Sequence, residues 1–290
     1  MAKKYSDELV NIIIQNYKNG ISPYKMVKTI PELYNKRPSV IYGILKNNNI
    51  SVRKETIITE QQRLNRRKYN VNDNFFNVID SENKAYWLGF IYADGFINTS
   101  NNKIGISLNI KDIEHLEKFK KDIEFTGNIN IYEQKQGYNV GSKYCRILFT
   151  SENMKKQLID KGVFELKTNK LKFPTEKQVP NKFIYDFIRG YIDGDGCITH
   201  GKLQKCGIWT ISLKITGTFD VIDNIQKIFN VQHLKKEQRY SKRNKDNYSI
   251  TISGNKQLQN ILDLVYKNSN IYLERKYKLY KQFCRSRSTL

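Results

Sequence analysis

Residues 85–97 read Ala85-Tyr86-Trp87-Leu88-Gly89-Phe90-Ile91-Tyr92-Ala93-Asp94-Gly95-Phe96-Ile97, and a variant of the same text returns at residues 186–198. The second copy is Asp186-Phe187-Ile188-Arg189-Gly190-Tyr191-Ile192-Asp193-Gly194-Asp195-Gly196-Cys197-Ile198. Both run glycine, aromatic, isoleucine, then a small residue, aspartate, glycine and isoleucine. Each copy is apolar around most of its circumference, which predicts a buried helix rather than an amphipathic one. Gly89 and Ala93, like Gly190 and Gly194, are four residues apart and share a helix face, so two backbones can approach closely. Gly95 and Gly196 stand where a helix would end in a left-handed cap. Asp94 and Asp195 are then the last helical residues, facing the negative end of the helix dipole at a cost of about 0.3–1 kcal/mol each. If the helices pack through their small faces, the two carboxylates also meet. A divalent cation between them would relieve both problems, and oxygen ligands at an open, watery site suit Mg²⁺, with Mn²⁺ as a substitute.

Downstream of each copy the matches continue. Ile106-Ser107-Leu108-Asn109-Ile110 echoes Ile211-Ser212-Leu213-Lys214-Ile215, and 146–160 echoes 249–263, with a strand yielding to a helix at Ser151 and at Gly254. Each half reads helix, two strands, helix, two strands, helix. Two such halves in one chain predict a monomer with pseudo-twofold symmetry. Ile104, Ile106, Leu108 and Ile110 alternate with Lys103, Gly105, Ser107 and Asn109. Trp209, Ile211, Leu213 and Ile215 alternate with Thr210, Ser212, Lys214 and Thr216. Period-two alternation gives sheets with one face on helices and one wet.

The charge gives those wet faces a partner. Lys and Arg number 50 against 28 Asp and Glu, a net charge of +22 over 290 residues. An AT-rich coding sequence accounts for some of the lysine but not for the imbalance. So large an exposed surplus calls for a polyanion, and nucleic acid is the first candidate. Ribbons of two strands fit the major groove of double-stranded DNA, where Lys103, Ser107, Asn109, Arg146, Thr210, Ser212 and Lys214 can meet base edges or phosphates. The basic hairpin around Lys235, Lys236, Arg239, Lys242 and Arg243 joins them. The strand faces show no evident pattern of stacking aromatics, which an RNA-binding module would want. Four cysteines lie far apart and histidine occurs three times, so zinc-finger and His-metal chemistry are poorly supported. With 39% hydrophobic residues a core can form, while no apolar run is long enough to cross a bilayer, so no membrane partner is expected. A soluble intracellular protein is expected, cytoplasmic in a prokaryotic or phage host.

Before the repeat, residues 1–50 predict three short helices: one capped by Ser6 and ended by Gly20, one opening at Ser22-Pro23, and one from Pro38-Ser39. This resembles a helix-turn-helix unit, a comparison that would send Ser39, Tyr42 and Lys46 of the third helix into the major groove. Residues 51–79 read as a basic linker.

The two repeated stretches resemble the motif that names the LAGLIDADG homing endonucleases. Trp87 to Gly95 keeps the Gly, Ile, Ala, Asp and Gly of that motif, and Ile188 to Gly196 keeps the Gly, Ile, both acidic positions and the final Gly. The resemblance covers residues 80–290. It implies an α+β fold of two αββαββα halves, 80–175 and 176–290, with motif helices at the pseudo-twofold and saddle-shaped antiparallel sheets on a long DNA site. It implies metal ligation by Asp94 and Asp195, with help from the carbonyls of Gly95 and Gly196. It implies hydrolysis of both strands across the minor groove with short 3′ overhangs. A basic residue near each scissile phosphate is also implied: Lys167 in the first half, and Arg275 or Lys276 in the second. Tyr92 departs from the motif where the second copy has Asp193, a position that caps the helix in the family, so little loss is expected. The rival reading is a catalytically silent relative, an intron maturase or a DNA-binding regulator. With Met1 at the start and no His-Asn pair at the end, a free-standing or intron-encoded enzyme is expected rather than an intein.

Overall fold

The computed structural model of the protein describes residues 5–34, 36–52, 68–136, 139–167, 170–202, 209–231, 234–236 and 247–288. Its chain divides into two compact units, residues 1–67 and 68–290. In the first unit the Ser6 hydroxyl accepts from the Leu9 amide and starts α1 (Asp7–Lys18), and Ser22 does the same for Lys25 at α2 (Pro23–Thr29). Gly20 turns the chain between them at φ +86°. α3 (Pro38–Asn47) opens on a proline, whose missing N–H costs nothing there. Leu9, Ile13, Tyr17, Met26, Leu33, Ile41 and Leu45 close a separate small core.

The second unit contains the repeat. The first half runs α4 (Glu82–Ala93), β1 (Gly95–Asn98), β2 (Lys103–Asn109), α5 (Ile113–Asp122), β3 (Asn130–Glu133), β4 (Lys143–Thr150) and α6 (Glu152–Asp160). The second half runs α7 (Ile184–Asp195), β5 (Gly196–Lys202), β6 (Trp209–Gly217), α8 (Phe219–Ile228), β7 (Leu234–Lys236), β8 (Tyr248–Ser253) and α9 (Asn255–Tyr266). The fold is α+β, with two antiparallel four-stranded sheets in the equivalent orders β1-β2-β4-β3 and β5-β6-β8-β7. Ile104, Ile106 and Leu108 on β2, and Ile211, Leu213 and Ile215 on β6, are buried against the helices. Ile110 leaves the alternation: β2 stops at Asn109, whose side chain caps a short 3₁₀ turn, Ile110–Asp112.

Helices α4 and α7 form the seam between the halves, and every residue from Ala85 to Tyr92 and from Phe187 to Asp193 is buried. A Cβ added to Gly89 would lie 1.9 Å from the Phe187 carbonyl oxygen, and one on Gly190 would lie 1.9 Å from that of Tyr86. The backbones therefore touch. Gly95 and Gly196 are not left-handed caps. Gly196 is extended (φ −80°, ψ 149°), and neither glycine has positive φ. Each opens a strand in a space too tight for a side chain, since a Cβ would come within 2.8 Å of Ile91 Cα or 2.4 Å of the Ile192 oxygen.

Among the described residues, α10 (Glu274–Ser288) has no helical counterpart in the first half; it packs Tyr280 and Phe283 into the core.

Candidate functional site

Asp94 ends α4 and Asp195 is the last residue of α7, so the crossing of the two helices brings their carboxyl ends together. A Cβ on Gly194 would stand 3.5 Å from Asp94 Oδ2, which puts the first carboxylate against the end of the opposite helix. Both aspartates are exposed. Protein crowding still pushes the Asp94 carboxyl up, opposed by the charges of Lys167, Lys276 and Arg275.

Beneath each aspartate a lysine closes the helix end. Lys167 Nζ donates to the carbonyls of Ile91, Tyr92 (2.5 Å) and Ala93 (2.8 Å). The buried Lys276 Nζ donates to those of Ile192 and Asp193, both at 2.7 Å, and of Gly196 at 2.5 Å. Cations at helix C-termini are the favourable partners of orphan carbonyls and of the dipole. This corrects one step of the sequence argument: two ammonium groups already offset the two helix ends, so electrostatics alone does not demand a metal. Desolvation lowers Lys167 to about 8, against the pull of Asp195 and Asp94. Lys276 is likewise lowered to about 8 by desolvation, against Asp193. Of the two second-half basic candidates, Lys276 holds the position equivalent to Lys167. Arg275 instead turns outward, 57% exposed, and pairs with Asp112 at 3.1 Å.

Asp193, read from sequence as a helix-capping position, is a buried junction. Its carboxylate accepts from Tyr86 Oη (2.7 Å) on α4, Tyr266 Oη (2.6 Å) on α9 and the Leu273 amide (2.7 Å). Burial pushes this carboxyl up, opposed by Lys276 and these donors. Tyr86 Oη also lies 2.9 Å from His115 Nε2. The tyrosine has one proton and gives it to Asp193, so His115 is assigned the Nε2–H tautomer. Its Nδ1 is then a buried acceptor that meets no partner among the described residues. In the first half Tyr92 occupies the matching place and donates to the Lys161 carbonyl at 2.5 Å. Tyr86, His115 and Tyr266 were not singled out from sequence, because their grouping depends on contacts between distant segments.

On the wet face of the first sheet, Lys103 and Asn109 are exposed and Ser107 and Arg146 half-buried. Arg146 Nε donates to Ser107 Oγ at 2.7 Å, across the β2–β4 ladder. Its guanidinium lies 5.5 Å from the rings of Tyr132 and Tyr144 and 5.9 Å from Phe96. Tyr132 and Tyr144 are stacked at 5.3 Å. The face thus carries the aromatics that the sequence pattern did not reveal. On the second sheet Ser212 and Lys214 are half-buried, and the Ser212 and Thr199 hydroxyls are 2.6 Å apart. Thr210 lies on β6, and Lys235 and Lys236 on β7. Arg239, Lys242 and Arg243 fall outside the described residues. In the first unit, Ser39, Tyr42 and Lys46 share one exposed face of α3.

A depression of about 540 Å³ lies between the first sheet and the segment 164–167, lined by Gly95, Phe96, Lys103, Arg146, Leu166 and Lys167 among others. Among the described residues no three His, Cys, Asp or Glu side chains gather as a metal cluster, and no helix is long and apolar enough to cross a membrane.

Two crossed helices that end in paired aspartates, each feeding an antiparallel sheet, define a duplicated α+β module. Residues 182–266 match the family model described as a LAGLIDADG-like domain. A curated relative, an uncharacterized protein of Methanocaldococcus jannaschii, is 36% identical over 99 residues. The match covers 33% of this chain, which spans about a third (34%) of that protein's length. Among solved structures, the LAGLIDADG homing endonuclease I-GzeII in complex with its DNA target aligns over 69% of this chain and 88% of its own, with 13% identity and a TM-score of 0.48. I-LtrWI bound to target DNA aligns over 74% and 90%, with 14% identity and a TM-score of 0.47. Meganuclease I-SmaMI bound to uncleaveable DNA aligns over 69% and 88%, with 15% identity and a TM-score of 0.45.

Proposed function

We propose that this protein is a monomeric, site-specific DNA endonuclease of the homing type, which hydrolyses both strands of a long recognition site with the help of Mg²⁺. The observation that supports the reading is that Asp94 and Asp195 are exposed at the ends of two helices whose backbones touch, with Lys167 feeling the charge of both. The donor set fits Mg²⁺: two solvent-facing carboxylates and, among the described residues, no cluster of further side-chain ligands leave the remaining positions to water and phosphate oxygens. Asp94 and Asp195 would hold it, with the Gly95 and Gly196 carbonyls as adjacent oxygens, that of Gly196 already accepting from Lys276. Bound there, the ion would supply neutralisation of phosphate charge and a more acidic water.

The chain's own residues do the rest. Lys167 and Lys276 hold the helix ends, and with them both aspartates, in fixed register, and they add positive charge beside the scissile phosphates. Arg275 lies one residue away on the surface. The two wet sheet faces, with Arg146, Lys103, Ser107, Asn109, Ser212 and Lys214, lie along the duplex. The first unit, with Ser39, Tyr42 and Lys46, forms a second DNA contact. The linker expected at 51–79 is shorter than that, because the second unit begins at Lys68 and buries Phe75, Phe76 and Ile79 in its core. The halves follow at 80–175 and 176–290.

A silent binding relative has two observations in its favour: the lysines compensate the aspartates without a metal, and Tyr132 stacks on Tyr144 where unpaired bases could join them. Cleavage of a plasmid library carrying randomised sites separates the two. Double-strand cuts that need Mg²⁺ and vanish in Asp94→Asn and Asp195→Asn support the nuclease. Tight binding without cuts in Mg²⁺ or Mn²⁺ leaves the binding relative.

A further inference from the structure

Leu166 has an unusual combination of properties. Its side chain is 83% exposed, the highest among the large exposed hydrophobics of the described residues. Its backbone is left-handed, φ +55°, a region bulky L-residues rarely adopt. Both neighbours are anchored. The Glu165 carboxylate accepts from the Thr99 amide at 3.1 Å and from the Thr99 hydroxyl. Lys167 is fastened to the last carbonyls of α4, one turn or less from Asp94. The strained backbone is thus held from both sides, and what it accomplishes is to present an apolar side chain to solvent.

The position of that side chain matters. Leu166 borders the same depression as Gly95, Phe96, Lys103, Arg146 and Lys167, so it stands on the wet face of the first sheet beside the end of α4. The charged side chains there are three cations and one carboxylate, Glu165, which is committed to Thr99. A cationic rim around a single projecting apolar side chain fits a polyanion with an apolar interior, and a stacked nucleic-acid duplex is that. Taking Lys167 and Lys276 as equivalent, the second half has Arg275 at the corresponding place. That arginine is helical and tied to Asp112, so it presents no apolar group.

We propose that Leu166 is an intercalating wedge, which enters a base step of duplex DNA on the Asp94 side of the cut and kinks it there, with no matching wedge on the Asp195 side. The proposal rests on the reading of this face as the DNA interface. Leucine and similar side chains unstack base pairs in this way in proteins that bend DNA from the minor groove. Flexible pyrimidine–purine steps deform most easily, so such a step is expected at the insertion point.

The test uses the full chain. A randomised duplex pool is enriched by retention on the wild-type protein in EDTA, and 2-aminopurine is then placed at successive positions of a retained duplex. The expected result is a fluorescence rise at one step, on one side of the centre only. That rise is lost in Leu166→Gly, which relieves the backbone, and kept in Leu166→Met and in Leu264→Ala, a change at an exposed leucine on α9. No rise on a bound duplex, or a rise that survives Leu166→Gly, overturns the wedge. Retained duplexes that Mg²⁺ never causes to be cut sink the nuclease reading while leaving the fluorescence test decisive. Failure to retain any duplex overturns both.

Discussion

Replacing Gly190 by alanine tests the seam on which the whole site depends. The new Cβ would fall 1.9 Å from the Tyr86 carbonyl oxygen and 2.8 Å from the Phe90 amide nitrogen. Ordinary contacts need about 3.5 Å, so α4 and α7 would have to separate by roughly 1.5 Å. Both obstructing atoms are backbone, and no rotamer change relieves them. Overpacking costs about 1–3 kcal/mol when side chains can yield, so a loss at or above about 3 kcal/mol is expected here. For a unit of this size that lowers the melting temperature by about 6–12 °C. Separated helices also part Asp94 from Asp195, so cleavage should fall further than the folded fraction. Thermal unfolding followed by circular dichroism measures the first effect, and cutting at a temperature where the variant is folded measures the second. Gly43→Ala is the contrast. It sits mid-helix in α3 with nothing within 4 Å of the added atom, and should gain about 0.5–1 kcal/mol in the first unit. A Gly190→Ala protein that melts within about 1 °C of wild type and cuts normally would refute the close crossing.

Three further outcomes are expected. Lys276→Met keeps the buried volume but strands the carbonyls of Ile192, Asp193 and Gly196, and should cost about 1.5–3 kcal/mol in urea unfolding; an unchanged midpoint would count against the helix-end role. Asp193→Asn leaves Tyr86, Tyr266 and the Leu273 amide aimed at a group that is a poorer acceptor, and should cost about 1–3 kcal/mol, read in the same assay. Burial lowers His115 from 6.5 to about 3. The unfolded chain therefore takes up a proton between those values while the fold does not. Stability from this group is full above pH 6.5 and falls as pH drops toward 3, by about 2 kcal/mol at pH 5. In His115→Gln that acid slope should flatten, and a slope equal to wild type would remove His115 as its source.

The repeat was legible because both copies obey the same local constraints: glycines where backbones touch, aspartates at helix ends, and alternation where a sheet is covered on one side. What escaped depends on register and on distance along the chain. Tyr132 faces Tyr144 only because β3 pairs with β4 in that register, which neither strand's own text specifies. Lys167 lies more than seventy residues from the carbonyls it holds. Helix α10 was hidden by its own function: Tyr280 and Phe283 are buried, but the stripe is interrupted by Lys276, whose ammonium is inside the protein rather than in water. A lysine that serves a helix end looks, in sequence, like a break in amphipathic periodicity.

The duplication is faithful in backbone and unfaithful in chemistry, and that contrast bears on what the protein can recognise. Strand orders, helix order and the lysine under each aspartate are the same in both halves. Yet the buried Tyr92 stands against the buried Asp193, the exposed Leu166 against Arg275, and the ring-flanked Arg146 of one sheet against Ser249 of the other. A dimer of identical subunits presents the same side chains twice and so favours a palindrome. Here the strand orders and the lysines at the helix ends are shared, while Leu166 and Arg146, at the surface of the first half, have different residues at the matching places of the second. On the proposed function, the expected target is a site with two unlike halves cut at a nearly symmetric centre. A strongly palindromic site from the randomised library would mean that the outward-facing differences are not what the DNA contacts.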